Sequence, residues 1–198
     1  MRLFIALDID SEINQRITRF VEGVSAFAPD ARWAKPESLH VTLKFVGEQP
    51  VALLEEIKRA LGTVSAGAVE LQFGGCGFFP TPKAARVFWI GVEARPQLAA
   101  LAAAVDDQTA RLGIPREERP FSPHVTLARG GGRGQGSGSP HWRKADRPNR
   151  SFQGLQEKLA ALATPEFGTM TAHEFFLYQS QLSPKGSTYT KLATFALG

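Results

Sequence analysis

Cysteine occurs once in these 198 residues, at Cys76, which excludes an intramolecular disulfide and a thiolate zinc site and fits a reducing, cytoplasmic setting. Long apolar runs are missing as well. None approaches the roughly 18 residues of a membrane span, so no membrane partner is expected. The apolar start, Leu3-Phe4-Ile5-Ala6-Leu7, is closed at once by Asp8 and Asp10; it is too short for a signal-peptide core and reads as a strand. One stretch lacks apolar residues altogether: Gly130 to Ser139 are nearly all Gly, Ser, Arg and Gln, and Arg143, Lys144, Arg147 and Arg150 continue the positive charge. That composition cannot offset the entropy of ordering, so residues 130–150 are predicted to be a flexible basic loop.

What is present is enough for one full-sized core or two small lobes sharing an interface, since 43% of the chain is apolar and 21% charged. The net charge of +4 suits an anionic partner without identifying one. More informative is an internal repeat. Sliding the chain against itself by 84 residues lays His40-Val41-Thr42-Leu43 on His124-Val125-Thr126-Leu127, and Arg2-Leu3-Phe4-Ile5 on Arg86-Val87-Phe88-Trp89.

Each opening strand is followed by a helical pattern, Ile13, Ile17, Phe20, Val21 and Val24 in one half and Leu98, Leu101, Val105 and Leu112 in the other. The tetrapeptide strand comes next, then a second helix (Leu54, Ile57, Leu61; Phe152, Leu155, Leu159, Leu162), then a third strand (Val69 to Phe73; Ala172 to Gln179). Thr81-Pro82-Lys83 is echoed by Ser183-Pro184-Lys185 ahead of a last strand, Tyr189 to Leu197, an arrangement that allows strands to be exchanged between lobes. The fold predicted is α+β: one bilobal domain over 1–198, with halves at about 1–80 and 86–180 and strand 189–197 exchangeable between them. Two mostly antiparallel sheets carry helices on the outside and face each other across a cleft.

Alternation along a strand points His40 and Thr42 one way and Val41 and Leu43 into the core, and the second copy repeats this. Pairing the lobes by a pseudo-two-fold brings two imidazoles and two hydroxyls together around a space suited to a phosphate. A neutral imidazole takes a proton from the attacking oxygen and an imidazolium gives one to the leaving oxygen, while the threonine hydroxyls donate to the non-bridging oxygens. These residues do not say which histidine is the acid. A zinc site is the competing reading, but no third His, Cys or carboxylate recurs beside the tetrapeptides at ligand spacing. No metal is therefore required. His141 and His173 lack the repeat's context and read as loop and surface residues.

The chain resembles a known family, the two-histidine phosphoesterases, and within it the RNA 2′,3′-cyclic phosphodiesterases historically called 2′-5′ RNA ligases, or LigT-like proteins. The likeness runs through Arg2 to Ala6, Arg32-Trp33, Glu37 to Gly47, Gly77-Phe78-Phe79-Pro80, Arg86 to Trp89, Phe121 to Arg129, Tyr178-Gln179-Ser180, Leu182 to Gly186 and Tyr189. It implies hydrolysis of a terminal 2′,3′-cyclic phosphate on RNA to a 2′-phosphomonoester, weak reversible 2′-5′ joining, and no cofactor. On the family pattern His40 is the proton donor to the departing 3′ oxygen, His124 the base that activates water, and Thr42 and Thr126 hold the phosphate; a monomer is expected.

Arg129 matches a family arginine expected to contact phosphate or the terminal base, although strict alternation from His124 puts it on the opposite face, so a bulge or strand end has to intervene. Lys44 falls on the His40 face by parity and is either a phosphate contact or a solvated strand lysine. Phe45 and Phe121 are read first as core residues, with stacking on an unpaired terminal base as the alternative; Trp33 and Phe78 are core. The segment after Arg129 is longer and richer in glycine than the family pattern. Two other functions fit the same residues: a two-histidine enzyme acting on a small molecule such as ADP-ribose 1″,2″-cyclic phosphate or a 2′-5′ oligonucleotide, and a noncatalytic RNA-binding module with a basic cleft.

Overall fold

The apolar run at the start forms β1 (Arg2–Asp8), whose Leu3 to Leu7 are all buried. Asp10 then caps α1 (Ser11–Val24), its carboxylate accepting a 2.8 Å hydrogen bond from the Ile13 amide, which satisfies one of the free N–H groups of the first turn. The computed structural model describes residues 1–130, 150–183 and 186–198. Beyond α1 the elements are β2 (Arg32–Trp33), β3 (His40–Glu48), α2 (Leu54–Leu61), β4 (Val69–Phe79) and β5 (Val87–Ala94). They continue with α3 (Pro96–Ala110), β6 (His124–Arg129), α4 (Gln153–Ala160), β7 (Glu166–Ala172), β8 (Glu174–Ser183) and β9 (Gly186–Ala196).

The strands make two antiparallel sheets, β3-β1-β8-β9 and β2-β6-β5-β4-β7, and the class is α+β. Sequence halves and sheets do not coincide. The third strand of the first half, β4, lies between β5 and β7 of the second; β8 lies against β1 of the first, with β9 beyond it. The helices cross over too. α1 follows β1 but packs on β7 of the other sheet, where Arg16 Nη1 donates to the Phe167 carbonyl at 2.9 Å and Phe20 meets Phe167 edge-on at 5.4 Å. α3 follows β5 but packs on β3. A single continuous core runs through both sheets.

Two features differ from the sequence pattern. The strand expected over 172–179 is β8, and just ahead of it, separated by His173, stands a further strand, β7, that the pattern does not anticipate. β7 reads Glu-Phe-Gly-Thr-Met-Thr-Ala with only Phe167 and Ala172 buried, too few apolar positions for alternation to show. β4 continues past Phe73 through Gly74, Gly75, Cys76 and Gly77, a run that reads as a breaker. Here the glycines serve the strand: Gly75 has φ +68° at a register shift against β5, a conformation costly for residues with a Cβ. Gly77 accepts the Trp89 indole, which a Cβ would approach to 2.4 Å. Of the loop expected over 130–150, residues 131–149 lie outside the described residues, as does His141; His173 is exposed.

Candidate active site

Both tetrapeptides carry a bulge at their last residue. Against β1, Thr42 pairs with Ala6 and Lys44 with Ile5, leaving Leu43 unopposed. Against β5, Thr126 pairs with Trp89 and Ala128 with Phe88, leaving Leu127 unopposed. An extra residue on one strand reverses the alternation beyond it. Leu43 and Lys44 are therefore both buried and Phe45 is 60% exposed; Leu127 and Ala128 are both buried and Arg129 is exposed.

The bulge corrects two expectations and resolves a third. Lys44 does not share the His40 face: it is 4% exposed, forms an ion pair with Asp106 of α3 and donates to the Pro115 carbonyl at 2.8 Å, so its ammonium is committed to the core side and not to a phosphate in the cleft. Phe45 is not a core residue. It stands on the His40 side, with Phe4 between, 6.5 Å from Phe45 and 4.8 Å from the His40 ring. Arg129 returns to the His124 face. Phe121 is partly buried against the core, as are Trp33 and Phe78.

β3 and β6 pack against each other, and the two imidazoles are held in the same way. His40 Nδ1 lies 2.7 Å from the Ser38 carbonyl, and His124 Nδ1 lies 2.7 Å from the Ser122 carbonyl. A carbonyl only accepts, so each Nδ1 carries its hydrogen and each Nε2 is the nitrogen left for proton transfer. Thr42 and Thr126 are half-buried beside them, and among the described residues neither hydroxyl is engaged. The model of the family described as LigT-like phosphoesterase matches residues 7–89 and again 90–189, one match around each histidine. This chain belongs to the LigT-like phosphoesterase family.

Among its relatives are the RNA 2′,3′-cyclic phosphodiesterase of Archaeoglobus fulgidus, 32% identical over 98% of this chain and 99% of that one, and the protein of the same name from Methanothermobacter thermautotrophicus, 30% identical over 100% and 99%. Among solved structures, LigT of E. coli complexed with 3′-AMP superposes with a TM-score of 0.74 at 27% identity, covering 99% of this chain and 97% of that one. The protein TT0787 of Thermus thermophilus gives 0.75 at 28% identity, covering 100% and 98%. The chain is thus an enzyme of phosphoesterase type, and the relatives match it along nearly its whole length.

In this LigT-like chain the surroundings of the two histidines differ. His124 is flanked by Phe79 at 5.0 Å and Trp89 at 6.3 Å. His40 is flanked by Phe4 and, edge-on at 5.3 Å, by Tyr189. Burial lowers the His40 pKa below the ordinary imidazole value; the Ser38 carbonyl and the Asp8 charge act in the raising direction, and Arg129 and His124, close enough to be felt, act to lower it. A cavity of about 230 Å³ opens beside His40, lined by Phe4, Asp8, Asn14, Ser38, Tyr178 and Tyr189 among others. Within it the Tyr178 hydroxyl donates to Asp8, and its own ionisation is pushed well above the phenol range by burial first and by Asp8 next. Sequence patterns carry no signal for this aspartate, because its partners stand 170 and 183 residues away. Among the described residues no three His, Cys, Asp or Glu side chains are grouped to hold a metal, and no helix is long and apolar enough to cross a membrane.

Proposed function

We propose that this enzyme hydrolyses the terminal 2′,3′-cyclic phosphodiester of RNA to a 2′-phosphomonoester, using His124 as general base and His40 as general acid. The observation that carries this is the matched anchoring of the two imidazoles at 2.7 Å through Nδ1, which leaves two Nε2 atoms as a proton-transfer pair. Water attacks phosphorus as His124 Nε2 takes its proton; the bond to O3′ breaks as His40 Nε2–H delivers a proton to that oxygen. The product keeps its phosphate on O2′, and solvent exchange restores both imidazoles. Thr42 and Thr126 donate to the equatorial oxygens as charge builds, and Arg129 offsets the negative charge of the bound phosphate. The departing O3′ and the retained O2′ both belong to the terminal ribose, so the aromatic cavity beside His40 suits the terminal nucleoside, with Phe45 available at its rim for stacking. An RNA 5′-hydroxyl replacing water gives a 2′-5′ joint by the same steps. The names of the two archaeal relatives support the choice of substrate, and the single-cysteine composition supports a cytoplasmic setting.

The test is an oligonucleotide ending in a 2′,3′-cyclic phosphate, incubated in EDTA. Ring opening to the 2′-phosphate is expected, with loss of at least about 10³-fold in kcat for His40→Ala and for His124→Ala, since each removes one proton-transfer step. An intact cyclic end, or full activity in both variants, rejects the reading. A kcat/KM on ADP-ribose 1″,2″-cyclic phosphate well above that on the RNA end reassigns the enzyme to small molecules, and RNA affinity without turnover in the wild type reassigns it to binding.

A further inference from the structure

The repeat makes His40 and His124 equivalent in strand, bulge and Nδ1 anchor, yet acid and base need unequal proton occupancy at the start of the reaction. One residue next to the chemistry breaks the equivalence. Asp8, at the end of β1, stands directly opposite His40 in the β1–β3 ladder, a position in which Cβ atoms lie roughly 5 Å apart. The corresponding place opposite His124 is taken by Gly91, and the residue 84 beyond Asp8 is Val92, which is buried. Among the described residues, the ladder sets a carboxylate opposite His40 and none opposite His124.

That carboxylate is held on both oxygens. The Tyr178 hydroxyl donates to Oδ1 and the Lys191 ammonium to Oδ2 at 2.9 Å. Both donors are themselves fixed: Lys191 lies 3.4 Å from the centre of the Phe176 ring, and the Tyr178 ring stacks on Phe4 at 5.2 Å, the same Phe4 that packs on His40. The charged and titratable groups around His40 come from every element packed on it: Asp8 of β1, Tyr178 of β8, Tyr189 and Lys191 of β9, His124 and Arg129 of β6, and Glu37 of the turn before β3. Burial is the largest influence favouring a neutral His40, and Arg129 and His124 act in the same direction. Asp8 is the fixed anion set against them; Glu37 is exposed, with no hydrogen bond or ion pair among the described residues to aim it.

We propose that Asp8 is a positioning residue for the acid role: gripped by Tyr178 and Lys191 opposite His40, its carboxylate favours the imidazolium form of His40 and so supports it as proton donor. The assignment rests on the proposed function, in which His40 protonates the leaving oxygen.

The imidazole C–H resonances of both histidines, followed by NMR against pH in wild type, Asp8→Asn and Lys191→Met, test this without needing turnover. In Asp8→Asn the His40 midpoint falls, because an anion that favours imidazolium is gone. In Lys191→Met it rises, because a cation is removed from the carboxylate. The His124 midpoint moves less than that of His40 in both. A His40 midpoint that is unchanged or raised in Asp8→Asn, or that moves in step with His124, overturns the proposal; if Asp8→Asn does not fold, the direction of the shift in Lys191→Met decides it. In parallel, the Asp8→Asn to wild-type ratio of kcat/KM on the cyclic-phosphate end falls as pH rises through the alkaline limb, whereas a constant ratio overturns the catalytic part of the proposal. Failure of the wild type to open any cyclic phosphate rejects the functional reading, while the titrations still decide whether Asp8 governs His40.

Discussion

Thr42 and Thr126 each carry a hydroxyl that nothing else in the described structure employs, two positions along from a histidine pinned by its own backbone. Unengaged hydroxyls in a half-buried cleft are poised donors, and donors aimed at developing negative charge are worth more in the transition state than in the ground state. Thr42→Val and Thr126→Val keep the branched shape and remove only the donor. Each is expected to lower kcat by about 10²-fold on the cyclic-phosphate end with little change in Tm, and wild-type kcat in the double variant would remove the threonines from the mechanism. At this scale the four residues of the duplicated tetrapeptides were legible, because two identical copies in one register are hard to explain by packing alone. The neighbours were not. Phe45 and Arg129 reach the cleft face, and Lys44 leaves it, through one unopposed leucine in each strand, and no residue type announces such a bulge. Asp8 was hidden by distance along the chain.

The bulged strands are joined to the rest of the fold by the ion pair that alternation failed to anticipate. Lys44 leaves β3 on the core side and meets Asp106 of α3, which also accepts from the Glu117 amide at 3.1 Å and from Arg116 at 3.4 Å. One carboxylate thereby ties β3, α3 and the turn that leads toward His124. Burial raises the Asp106 pKa, but hydrogen bonds from Lys44 and Glu117 and the charges of Lys44 and Arg116 outweigh it and hold the carboxyl below the usual range. The folded-state value is depressed, so the stability it contributes is present above the unfolded value of about 4 and is lost as pH falls through the folded one. Asp106→Asn strands a buried ammonium and should cost about 3–5 kcal/mol, measured by urea unfolding at neutral pH, and the mutant should lose less stability than wild type as pH falls from about 4 to about 2. Lys44→Met should cost less than Asp106→Asn, because removing the ammonium leaves Asp106 near the surface with Arg116 and solvent. The reverse order would mean that the pair does not couple α3 to β3. Among the elements themselves, helices with a regular apolar stripe were readable from sequence. β7 was not, having too few apolar residues, nor was the far half of β4, whose glycines are there for a bulge and for Trp89.

Over the whole molecule, the repeat describes ancestry better than it describes assembly. Residues 1–84 carry β1 and β3 for one sheet but β2 and β4 for the other, and the remaining residues bring β8 and β9 back to the first sheet while β5, β6 and β7 complete the second. In an isolated first half, β4 loses both of its neighbours and α1 loses the β7 strand it packs on; in an isolated second half, β8 loses β1 and α3 loses β3. Each half would then expose sheet edges and apolar faces with nothing to cover them. Sequence could show the duplication and even the strand echo, but pairing between distant strands is a matter of register and packing that a local pattern does not encode. The exchange also places the two histidines: each tetrapeptide strand sits in a sheet finished by the other half, so the cleft exists only once both sheets are complete. Separately expressed fragments 1–84 and 85–198 should therefore each show collapsed amide dispersion and no phosphodiesterase activity. Mixed from denaturant, they should recover both, while the intact chain should unfold in one transition that coincides by circular dichroism and fluorescence. A fragment that folds alone, or two resolved transitions in the intact chain, would mean that the lobes are independent units and that the exchanged strands add little to the fold.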